Sequence, residues 1–136
     1  MAKQFTLGKN ERLKSRKQIE QLFTEGKNFA ITPLKIYYSI GFNKDPNVPF
    51  NLQFGVGVSG KNFKKAVDRN RIKRLIKESY RLQKNELKEN LRQKKLQLNI
   101  FFIYTGKELP DFDAVKIKVN VALKRLLQLV KEIQIS

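Results

Sequence analysis

Between Lys61 and Arg81 nine Lys or Arg residues stand against only Asp68 and Glu78, and the apolar residues among them recur at helical spacing. Like charges at this density repel one another, and a helix is the local structure that sets them on one side and the apolar residues on the other. At about 100° per residue, the pattern predicts a helix over roughly Lys64 to Leu82, with Ile72, Leu75, Ile76, Ser79 and Leu82 as its buried stripe. Arg69, Asn70, Lys73, Arg74, Lys77 and Arg81 are expected on the opposite side, with Arg71 at one margin. The stretch carries +7, nine cations less two acids, of a net +17. A surface of that sign suits a polyanion. Nucleic acid is the commonest one, and an anionic membrane surface is the weaker rival.

The remaining elements supply something for that stripe to pack on. At 136 residues and 40% hydrophobic content the chain fits one domain, 1–136, with a polar and mobile start over 1–10. Ser15 to Phe23 reads as a short helix with Ser15 as N-cap, Gly26 as stop, and Ile19, Leu22 and Phe23 on its apolar face. From Leu34 to Ile40 the chain alternates, with Leu34, Ile36, Tyr38 and Ile40 on one face and Lys35, Tyr37 and Ser39 on the other, which predicts a half-buried strand. Pro46 and Pro49 make 43–51 a loop. A strand follows from Leu52 to Ser59, with bulky residues on one face and Gln53, Gly55, Gly57 and Ser59 leaving the other nearly bare. A second helical piece is expected from Lys84 to Lys94. The near-continuous apolar run Leu98 to Tyr104 suits a central strand covered on both faces, and the last helix spans about Asp113 to Ile133. Helix, strand, strand, helix, strand, helix is an α+β order, without internal repeats.

Several chemistries are excluded outright. With no Cys and no His, the chain has no thiolate nucleophile, disulfide, imidazole base or Cys/His zinc site. The twelve carboxylates form no paired signature, and most stand beside Lys or Arg as solvated surface ions. No stretch approaches a membrane span, and the basic N-terminus lacks the apolar run of a signal peptide, so a cytoplasmic protein with no membrane contact is expected.

A Lys-rich face is often only a soluble surface. Here Arg occupies 69, 71, 74 and 81, where Lys would serve solubility equally well, and Asn70 lies among them. The planar guanidinium fork grips phosphate, and Asn both donates and accepts. The first amides of the helix, near Asn62 to Lys65, add a favourable site for an anion. A second constellation is aromatic. Tyr37 on its strand, the bare face at Gly55 and Gly57, and Phe23 at the rim are placed to stack unpaired bases, although Phe23 beside Ile19 and Leu22 also fits a core position. Such a floor with a basic rim favours single-stranded RNA over duplex DNA.

Ala66 to Glu78, with its Arg69-Asn70-Arg71 triplet followed by Lys73-Arg74, resembles the bacterial ribonuclease P protein subunit. The likeness extends through Gly55 to Ser59, through Glu11 to Arg16, to Phe23 and Gly26, and to the closing helix, nearly the full length. It implies a fold like the second domain of ribosomal protein S5, with a left-handed βαβ crossover. It also implies a division of labour, in which a catalytic RNA cuts precursor tRNA at the 5′ end of the mature sequence using magnesium, held mainly by RNA, while the protein binds that RNA and the 5′ leader. Carried over, Arg69, Asn70, Arg71, Lys73 and Arg74, with Lys77, Lys64 and Lys65, face the catalytic RNA. Ile19, Phe23, Tyr37, Gly55 and Gly57 form the leader cleft. Lys64-Lys65 stand where the family usually has Gly-Asn, the connection 59–63 is one residue longer, and Ile19 replaces a frequent Phe.

The expected function is therefore that of the protein subunit of ribonuclease P, an endonuclease component without catalytic or metal-binding residues of its own and with no protein partner implied. The alternative is a non-catalytic RNA-binding protein, a ribosomal protein or an RNA chaperone. A protein-only nuclease lacks its metal ligands.

Overall fold

Alternation along three strands decides which side of the sheet is covered. The computed structural model describes residues 12–13, 15–42 and 52–133; the expected mobile start, Glu11, Lys14 and the proline-containing loop lie outside them. Along the described chain run α1 (Arg16–Glu25), β1 (Lys27–Ile31), β2 (Leu34–Phe42), β3 (Leu52–Val58), α2 (Ala66–Gln83), α3 (Asn85–Lys94), β4 (Leu96–Tyr104) and α4 (Phe112–Glu132). They make one four-stranded sheet in the order β1-β2-β4-β3. β2 is antiparallel to both β1 and β4, whereas β3 and β4 are parallel neighbours, joined by the crossover through α2 and α3.

One face of this sheet is the core. Leu34, Ile36 and Tyr38 of β2, Leu52 and Phe54 of β3, and Leu98, Ile100 and Phe102 of β4 are buried there. Above them lie Ile72, Ile76 and Tyr80 of α2, Leu87 and Leu91 of α3, and Val119, Leu126 and Val130 of α4. The Tyr80 ring stacks on Phe54 at 3.8 Å and 8°, and Phe102 meets Phe54 edge-on at 5.3 Å. Buried aromatic pairs in such geometries gain about 0.5–1.5 kcal/mol beyond area burial.

Among the described residues, α1 is the only helix on the other face. Ten residues make a helix about 15 Å long, too short to roof four strands. β4 is central, as its apolar run predicts, but it is not covered on both sides: Gln97, Asn99, Phe101 and Ile103 remain half-buried. β1 was not legible as a strand, because only Phe29 is buried in this edge segment. Phe29 is held between Tyr38, 5.7 Å between ring centroids, and the Arg125 guanidinium 4.6 Å from its own.

Caps define the helix ends. Ser15 accepts from the Gln18 N–H, Gly26 closes α1 through Leu22, and Asp111 accepts from the Ala114 N–H at 2.8 Å. α3 stops at Lys95, whose left-handed φ of 56° ends the helix. The preceding Lys94 reaches α4 instead, where its ammonium donates to the carbonyls of Val130, Lys131 and Ile133 at 2.9, 2.8 and 2.8 Å. It thus places a cation and its donors on the carbonyls at the negative end of that helix, where Val130 also accepts from the Ile133 N–H. Replacing this donor, Lys94→Met, is expected to lower unfolding free energy in urea by about 1–3 kcal/mol; an unchanged midpoint would show the cap to be dispensable.

Candidate nucleic-acid interface

The open sheet face is built by register. Tyr37 pairs with Phe101 across β2 and β4, and Gly55 pairs with the same Phe101 across β3 and β4, so all three share one row. Phe23 comes down from α1, its ring 4.7 Å from Tyr37 and 5.3 Å edge-on from Phe101. Phe23 is 39% exposed, so its ring belongs to this floor and not to the core. Ile19, one turn earlier on α1, is half-buried, and the Lys35 ammonium stands 5.2 Å from the Tyr37 ring centre.

The bare glycine face is not bare. A Cβ on Gly55 would lie 2.7 Å from the Phe101 ring, and one on Gly57 3.0 Å from it. The two glycines therefore admit an aromatic ring of the protein itself, and the ring becomes the surface a ligand meets. Phe101 was missed because 98–104 reads as a run covered on both faces. Counting by twos from Ile100 and Phe102, and noticing that two consecutive bare positions on a neighbouring strand need filling, was the available signal.

On α2 the exposed polar side chains are Asn70, Arg71, Arg74 and Lys77, with Lys73 half-buried; Lys64 and Lys65 are exposed just ahead of the helix. Two expectations change here. Leu82 is 40% exposed and Tyr80 fully buried, because the stripe turns toward Phe54 and includes Tyr80. Arg69 does not lie opposite the stripe. About 60° from Ile72, it is half-buried, and its guanidinium donates to the carbonyls of Phe63 and Lys64, both at 2.8 Å. It thereby braces the turn entering α2, whose N-cap Lys65 makes no side-chain cap bond. Asn62 is likewise occupied, donating to the carbonyls of Thr105 and Gly106. Arg81 pairs with Glu78 on its own helix.

Beside this helix Arg12 and Leu13 lie along the outer edge of β3. The Leu13 N–H donates to the Phe54 carbonyl at 2.8 Å, and Arg12 forms a parallel bridge with Phe54. Arg12 was not singled out from the sequence, since nothing local ties it to a strand so far along the chain. Partial burial, together with the charges of Arg12 and Lys73, makes the Lys77 ammonium a weaker base than usual. The site is thus an aromatic floor and a cationic helix on either side of one strand edge.

The family profile described as Ribonuclease P matches residues 7–127. The chain is 38% identical over 122 residues to the ribonuclease P protein component of Porphyromonas gingivalis strain W83, covering 90% of this chain and 87% of that one. To the ribonuclease P protein component of Chlorobaculum tepidum it is 31% identical over 129 residues, covering 89% and 82%. In fold it is similar to the solved RNase P protein of Staphylococcus aureus, with a TM-score of 0.54 at 21% identity, over 89% of this chain and 95% of that one.

The two arginines flanking Asn70 are expected to separate. Arg69→Ala removes donors from two carbonyls and lowers unfolding free energy by about 1–2 kcal/mol, whereas Arg71→Ala stays within about 0.5 kcal/mol, both read by urea denaturation. Equal effects would contradict the bracing role.

Proposed function

Since this chain belongs to the ribonuclease P protein family, we propose that it is the protein subunit of that ribonucleoprotein, docking a catalytic RNA on α2 and holding the 5′ leader of precursor tRNA on the open sheet face. The observation that carries the reading is the cluster of Phe23, Tyr37 and Phe101, with the Phe23 ring against both of the others, on the sheet face that carries the short α1, beside a helix whose outer side is cationic. Rings presented this way stack on unpaired bases, and every base has a face to offer. Asn70, Arg71 and Arg74, with Lys64 and Lys65, form the surface for the catalytic RNA. Arg69 supports it by fixing the turn that presents Lys64 and Lys65.

The chemistry of cleavage is assigned to the RNA. Hydrolysis of a phosphodiester there uses magnesium to activate water and stabilise the departing oxygen. That ion is assigned to RNA ligands. The contribution of this chain is electrostatic and positional: its cations lower the repulsion between two phosphate backbones, and its floor fixes one strand relative to the other. Among the described residues no helix is long and apolar enough to cross a membrane, and the proposed place of action is the cytoplasm.

The purified protein, mixed with a bacterial ribonuclease P RNA and precursor tRNA at low magnesium, is expected to stimulate accurate 5′ cleavage. No stimulation would sink the reading. Tyr37→Leu keeps an apolar side chain but loses the ring, and is expected to cost about 1–3 kcal/mol in affinity for leader-bearing precursor. A loss of the same size on leaderless mature tRNA would refute the leader contact.

A further inference from the structure

Where β2 runs past the end of β1, its outer edge has no strand partner among the described residues. β1 pairs with β2 only from Leu34 to Tyr38, while β4 lies along the whole of β2, from Leu34 to Phe42, on the other side. The Tyr38 carbonyl oxygen lies 2.9 Å from where a Cβ of Gly26 would be, so it points to the β1 side. Backbone groups alternate in direction along a strand in an antiparallel ladder. Ile40 and Phe42 therefore turn their N–H and C=O groups to that same side, beyond the last pair with β1. An edge of this kind takes an added strand.

Beside the edge lies a groove of about 520 Å³. Its apolar lining comes from Ile40, Phe42 and Leu96 of the sheet and from Leu129 and Ile133 at the end of α4. Phe42 stands at its lip, 63% exposed, on the sheet face that Ile40 also occupies. The charged residues of the lining are Glu25, Lys27 and Glu132, one cation less two acids, or −1, in a chain of +17. Two copies of such a chain repel each other, and the local charge here does not add to that repulsion. The occupant must offer extended main chain to the edge and an apolar side chain to the groove. β2 itself offers both, in the form of its last residues and the Phe42 ring.

We propose that this edge pairs two copies of the chain, β2 against β2 and antiparallel, around a two-fold axis at Gly41. Ile40 of one copy stands opposite Phe42 of the other and exchanges N–H···O=C bonds with it, and Gly41 faces Gly41. Each Phe42 ring lies over Ile40 of the other copy, in the groove formed with Leu129 and Ile133. The contact is isologous and closes at two copies. It is short, so the dimer is weak and depends on concentration. The groove takes no residue from the aromatic floor or from α2, and both copies keep those surfaces free.

The test is sedimentation of the full chain without RNA, over a range of protein concentrations and at low and high salt. A monomer–dimer equilibrium is expected. Salt is expected to strengthen it by screening the +17 of each copy, the opposite of its effect on RNA binding. Phe42→Asp, at a side chain already exposed in the single chain, is expected to keep the urea midpoint and to raise the dissociation constant about tenfold or more. Gly41→Cys reads the register. A Cβ at Gly41 meets nothing within 4 Å, and the chain has no Cys of its own. Residues facing each other in a non-hydrogen-bonded antiparallel pair have Cα atoms about 4.5 Å apart, within the range of a disulfide. Mild oxidation is expected to link copies carrying Gly41→Cys much faster than copies carrying Gln93→Cys, at an exposed position on α3. A chain that stays monomeric at every concentration, its groove then left to a different partner, would overturn the proposal. So would a dimer untouched by Phe42→Asp, linkage no faster at 41 than at 93, or species larger than a dimer.

Discussion

β4 exchanges ladder hydrogen bonds with β2 on one side and β3 on the other, and every second side chain from Leu96 to Tyr104 is buried in the core that also takes in α2, α3 and α4. The rest of the structure is referred to this strand. Its parallel pairing with β3 requires a crossover, and α2 and α3 supply it, which brings the cationic helix over the sheet and not out into solvent. The same register that buries Ile100 and Phe102 turns Phe101 to the opposite face, between Tyr37 and Gly55. Core and floor are two sides of one alternation.

Charge is arranged around this scaffold without opposing it. A net +17 disfavours any compact state through self-repulsion, and the protein distributes it by letting some cations serve the fold. Lys94 closes the end of α4, Arg69 ties the turn before α2, and Arg125 lies over Phe29. Those on the outer side of α2, Asn70 aside, are Arg71, Arg74 and Lys77, and they remain exposed. Nearness along the chain does not sort the two groups, since Arg69 and Arg71 sit two residues apart and have different surroundings.

Much of the fold was legible from local pattern. The caps Ser15 and Gly26, the alternation of β2, the extents of α2, α3 and α4 and the central place of β4 agree with what spacing predicts, because each depends on residues within a turn or two of one another. β1 was hidden because an edge strand needs only one good anchor, here Phe29. On α2, helical spacing put Arg69 opposite the buried stripe, whereas it lies beside it, since Tyr80 and not Leu82 completes the stripe.

The sequence by itself determined that the chain would carry a cationic amphipathic helix, an α+β core and no Cys or His chemistry, because composition and helical or alternating spacing are properties of neighbours along the chain. Only the tertiary structure decided that Phe101 fills the space over Gly55 and Gly57, that Arg69 faces inward to two carbonyls, and that Arg12 bridges Phe54 at the edge of β3. Each of these is set by strand register and by how far α2 rotates to lay Tyr80 on Phe54, and both are fixed by packing between segments far apart in the chain.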